Sequence, residues 1–97
     1  MENTSTPVLS DRERFHRMLT SYPRLSTYWD SSENSLRYLY LKKAHTSMSH
    51  GEQIMARFFM SVWQGKNEEF DFIDAASQLD MQEKKIIVTW FADPFWP

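Results

Sequence analysis

The sequence predicts an all-α fold: a compact single-domain bundle of about five helices arranged around a central helix over 49–64. Three observations predict it. Residues 54–63 carry a wide apolar face at helical spacing, with Ile54, Phe58 and Val62 in one i, i+4 row and Met55, Phe59 and Trp63 in the row beside it. Ser10, Ser49 and Asp80 each stand three residues before a Glu, the pattern of a capping box at a helix start. The two runs that also read as strands, 36–44 and 86–91, are far apart in the chain, and pairing them as an isolated ribbon is less favourable than folding each as a helix.

Taken in order, residues 1–9 read as a flexible N-terminal arm and 10–97 as one helical domain. Ser10 and Glu13 open a helix that runs to about Tyr22, because Pro23 disfavours the α region for the residue before it. Phe15, Met18, Leu19 and Tyr22 fall on one stripe of it, with Arg12, Arg14, His16 and Arg17 over the rest. Residues 23–34 are rich in turn formers, and Tyr28 and Trp29 are expected to plug the core from a loop. Segment 36–44 is assigned as helix from the spacing of Leu36, Leu39, Tyr40 and Lys43.

The central helix starts at the Ser49–Glu52 box and stops at Gly65, which is free to take the left-handed conformation after the last turn. Its apolar face spans about half the circumference, wider than the ~100° stripe of a surface helix, and so requires neighbours on more than one side. Gly51 in its first turn weakens the helix, which suggests close approach by another helix or by an anion at the N-terminus. Asp71 is placed to cap a short helix through Phe72, Ile73, Ala75, Ala76 and Leu79. Asp80 with Glu83 opens a last one, carrying Ile86, Ile87, Trp90 and Phe91 and ended by Asp93-Pro94.

Composition narrows the function classes. The chain has 97 residues, 41% of them hydrophobic, with two Gly and four Pro, which suits one globular core. It has no cysteine, excluding thiol catalysis, thiolate metal sites and disulfides. No apolar run approaches the ~20 residues of a membrane span and the N-terminus lacks the pattern of a secretory signal, so a soluble, cytoplasmic protein without membrane contact is expected. Net charge is −2, with seven Lys/Arg against five Asp/Glu in residues 1–50 and four against eight in 51–97. That asymmetry can steer a partner but falls short of the basic balance of a dedicated nucleic-acid binder.

Catalytic patterns are weak. His45, His50 and Glu52 are close in sequence, but a cap separates the two histidines and their spacing does not match one helix face, so no metal or cofactor is assigned. The acids Glu68, Glu69, Asp71 and Asp74 lack the order of a calcium loop, and two glycines cannot form a phosphate cradle. No nucleophile constellation stands out and no enzyme is expected.

The sequence therefore points to binding. Four Trp, four Tyr and seven Phe exceed what a small core easily hides. The expectation is an adaptor or regulator that contacts a protein partner, a second copy of itself being one candidate. Its anchors are Trp63, Phe95 and Trp96, with Arg12, Arg14 and Arg17 as a steering rim; a solvated helix face is the simpler account of the arginines. The alternative is a helix-turn-helix regulator using 71–79 and 81–91, with Ala76 and Ile86 facing inward and Gln82, Lys84 and Lys85 toward DNA. The acidic helix before it would face phosphate unfavourably.

Overall fold

In the computed structural model, which describes residues 8–97, the Ser49 hydroxyl accepts from the Glu52 amide at 3.2 Å while the Ser49 amide donates to the Glu52 carboxylate at 2.9 Å. This reciprocal cap opens the central helix α4, His50–Gln64. Before it come α1 (Asp11–Thr20), α2 (Pro23–Ser26), the two-residue strands β1 (Trp29–Asp30) and β2 (Ser35–Leu36), and α3 (Tyr38–His45). After it come α5 (Phe72–Gln78) and α6 (Met81–Ala92). The same box closes on Ser10 with Glu13 in α1 and on Asp80 with Glu83 in α6. Gly65 ends α4 at φ 73°, and its amide and that of Lys66 both donate to the Ser61 carbonyl, satisfying the last turn.

The fold is all-α, and α4 is its axis. Ile54, Met55, Ala56, Phe58, Phe59, Met60 and Val62 are all buried. The other elements sheathe them, α2 and α5 in direct contact with α4 and α1 packed on α2. An aromatic series crosses the core in edge-on and tilted contacts, from Trp63 through Phe15, Trp29, Phe59, Phe58 and Trp90 to Trp96, with ring centroids 5.1–6.3 Å apart. All four tryptophans and three of the seven phenylalanines lie in this series.

Five helices are expected and all five are present. The turn-rich stretch adds two features. Pro23 stops α1 and, at the first helical position where its missing N–H costs nothing, starts the one-turn α2. Beyond it, β1 and β2 form an antiparallel hairpin pairing Trp29 with Leu36, its turn held by the Asp30 carboxylate accepting from Ser32 and Glu33 and by Asn34 at φ 49°. Trp29 is buried, as expected. Residues 1–7 of the expected N-terminal arm lie outside the described residues.

Three inward faces differ from expectation. In α3 the buried residue is Leu41, and Leu39 and Tyr40 of the expected stripe are exposed. In α5 and α6 the inward positions are Ala75 and Ile87; Ala76 is exposed and Ile86 half-buried. Phe72, Ile73 and Phe91, placed in these helices from their spacing, point to solvent. These helices carry large apolar groups around much of their circumference, so helical spacing alone admits more than one buried stripe.

Gly51 receives both of its expected neighbours in one residue. A Cβ at Gly51 would stand 3.4 Å from Oε2 of Glu83, so the α6 carboxylate lies against the positive end of α4. Glu83 also accepts from the Asp80 amide at 3.0 Å and from the Tyr22 hydroxyl at 2.6 Å, tying α6 to both α4 and the end of α1.

Candidate functional site

Helix α6 separates two open apolar clefts, and half-buried Trp90 is the wall between them. Trp90 is fixed by its indole N–H, which donates to the Phe95 carbonyl at 3.0 Å, and by edge contacts to Phe58 and Trp96.

The first cleft, of about 460 Å³, lies between α1 and α6. Met18, Ile86, Trp90 and Phe95 make its apolar floor, and Arg14, Arg17 and Lys85 stand around it; among the described residues its walls carry no carboxylate. The second, of about 340 Å³, lies between α4, the 66–70 link and α6. Its walls are almost wholly apolar, with Phe70, Phe72, Trp90, Phe91 and Trp96 prominent.

The segment after α6 shapes both clefts. Asp93 accepts from Arg14 at 3.0 Å through its side chain and at 3.1 Å through its carbonyl. The guanidinium of Arg14 lies 4.6 Å over the Phe95 ring, and the Trp96 amide donates to Asp11 at 3.0 Å. Phe95 is thereby 6% exposed and part of the core, whereas Trp96 stays 55% exposed.

The residues expected to form one patch are thus distributed. Arg14, Arg17 and Phe95 meet at the first cleft and Trp96 at the second. Trp63 is half-buried against Phe15, His16 and Trp29 on another side of α1. Arg12 donates to the Ser31 and Ser32 carbonyls, so it braces the hairpin, and Arg14 braces the C-terminal segment. Of the three arginines, Arg17 lines the cleft without a hydrogen bond to fix it among the described residues.

Phe72 and Phe91 were missed as site residues, and Lys85, expected only as a contact toward DNA, stands at the first cleft. The signal for Phe72 and Phe91 was an excess of large apolar groups around short helices. Nothing in the periodicity separates an outward stripe from an inward one.

The histidines are held apart. His50 Nε2 is 3.0 Å from Asp74 on the open surface, and His16, which lines a cleft, meets Asn34 at 3.0 Å instead of a carboxylate. His45 Nε2 is enclosed and without a hydrogen-bond partner. Among the described residues no three His, Asp or Glu side chains converge as metal ligands, and no helix is long and apolar enough to cross a membrane.

Compared with protein-family models, with curated proteins and with solved structures, the chain matches none.

Proposed function

We propose that this chain is a binding protein, a small helical adaptor or regulator that engages a protein partner through the surface on either side of α6. The observation that carries this is the second cleft: Phe72, Phe91 and Trp96 stand open to solvent around a hollow with almost no polar wall. Contiguous apolar surface of this kind is seldom left uncovered in a soluble domain, and covering each large side chain fully contributes about 1.5–3 kcal/mol. Trp96 and Phe91 serve as anchors. Phe95 supports Trp96 from within the core through Trp90, whose indole donates to the Phe95 carbonyl, and Arg17 with Lys85 steers the approach.

A protein surface suits α6 better than a DNA groove. Its outward side carries Met81, Val88 and Phe91 among Lys84 and Lys85, and exposed apolar groups of that size gain little from phosphate.

The test is capture from native cell extract by the wild-type chain, compared with Trp96→Ala and Phe91→Asp variants of unchanged circular dichroism. A protein retained by the wild type and lost with both variants is the expected result. Identical captured sets for all three would overturn the proposal.

A further inference from the structure

We propose that the acidic, apolar start of α5 on one copy docks into the basic-rimmed cleft between α1 and α6 on a second copy, so that the chain associates with itself head to tail. This rests on the binding function proposed above and names the partner for its first cleft.

The two surfaces complement each other in both charge and polarity. The cleft offers about 460 Å³ over an apolar floor, with Arg17 and Lys85 beside it and no carboxylate in its walls among the described residues. Arg14, the third cation, is already neutralised by Asp93 at 3.0 Å. The other surface is the stretch 68–74. Phe72 is 65% and Ile73 74% exposed, and the exposed carboxylates Glu69 and Asp71 flank them. Of the other acids nearby, Glu68 is paired with Lys66 at 3.8 Å and Asp74 with His50 at 3.0 Å, while Asp71 caps α5 by accepting from the Asp74 amide at 2.9 Å and has no cationic partner among the described residues. Two cations around an apolar hollow therefore face two anions around a pair of apolar side chains.

Symmetric pairing of either surface with itself is disfavoured. Cleft on cleft would oppose Arg17 and Lys85 to their own copies, and α5 on α5 would do the same to Glu69 and Asp71. Only the crossed contact brings opposite charges together. The two surfaces share no residue, so one copy can offer both at once. Such a contact propagates into a chain of copies unless two molecules engage reciprocally and close.

The experiment uses the purified full chain in light scattering over a range of concentrations. Two charge variants are made at exposed positions, Arg17→Glu with Lys85→Glu, which reverses the cleft, and Glu69→Lys with Ile73→Lys, which makes the α5 surface basic, each checked by circular dichroism. The wild type is expected to associate, and each variant alone to associate at least about tenfold more weakly. An equimolar mixture of the two variants is expected to regain association, because the unaltered α5 surface of the first meets the unaltered cleft of the second, and the two altered surfaces carry opposite charges. As a measure that needs no variant, raising salt from about 0.05 to about 0.5 M should weaken the wild-type association. A wild type that stays monomeric to about 1 mM would overturn the inference. So would variants that associate as the wild type does, a mixture no different from its components, or association indifferent to salt. A monomeric chain that still captures another protein through Trp96 and Phe91 would leave the broader binding function standing.

Discussion

Arg14 on the first helix donates to the carboxylate of Asp93, 79 residues further along, at 3.0 Å, and spreads its guanidinium 4.6 Å over the Phe95 ring. One side chain thus joins the two ends of the domain by an ion pair and by stacking. Asp93 is largely exposed, so the ion pair itself contributes little, and the cover over Phe95 contributes the larger part. Arg14→Ala is expected to destabilise by about 1 kcal/mol and to release the C-terminal segment. Tryptophan fluorescence should report this as easier quenching of Trp96 by acrylamide. Arg14→Lys should restore only part of the protection, because an ammonium cannot lie flat on the ring.

The two glycines should respond in opposite senses. At Gly65, φ is 73°, and Gly65→Ala is expected to cost about 1 kcal/mol although nothing crowds the site. At Gly51 an added Cβ meets Glu83 at 3.4 Å in ordinary van der Waals contact, and the helix gains from alanine. Gly51→Ala is expected to be neutral or stabilising by up to about 1 kcal/mol. A larger residue there, such as Leu, should displace Glu83 and break its bond to Tyr22. Thermal unfolding of the three variants separates these outcomes.

Phe59 and Phe91 test the division between core and surface. Phe59 is fully enclosed between Tyr22, Trp29 and Phe58, and Phe59→Ala is expected to cost about 3–5 kcal/mol, enough to unfold much of a small domain. Phe91 is 74% exposed, and Phe91→Ala should change stability by less than about 0.5 kcal/mol. Equal losses in urea titrations of the two variants would contradict the placement of α6.

Acid should weaken the helix starts. Glu52 is held below its ordinary 4.5, first by the Ser49 amide and also by Arg24; Glu13 is lowered in the same way by the Ser10 amide. A carboxylate with a depressed folded pKa favours the folded state above its unfolded value, and that contribution is lost as pH falls through the folded value. The melting temperature is expected to fall below about pH 4.5, and a Glu13→Gln, Glu52→Gln double variant should show a flatter decline. At the alkaline end, burial and then the hydrogen bond to Glu83 push the Tyr22 hydroxyl well above its ordinary 10.0. Its contribution is complete below pH 10 and is lost only as pH rises toward the folded value, so Tyr22→Phe should abolish that part of the alkaline fall.

The sequence by itself determined where α1, α4, α5 and α6 begin, where α4 ends and which helix lies at the centre. Ser10, Ser49, Asp71 and Asp80 act on amides two or three residues away, and Gly65 acts on its own backbone, so these signals survive whatever the rest of the chain does. The face of α4 was equally legible, since apolar residues over half its circumference leave no other orientation. Only the tertiary structure decided which side of α3, α5 and α6 turned inward, what Arg12 and Arg14 hold, and that Phe95 is core while Phe91 and Trp96 are surface. Those short helices are apolar on more than one side, and the balance between candidate stripes depends on the shape that α4 and its neighbours present to them. That shape is made by residues tens of positions apart, which no local periodicity encodes.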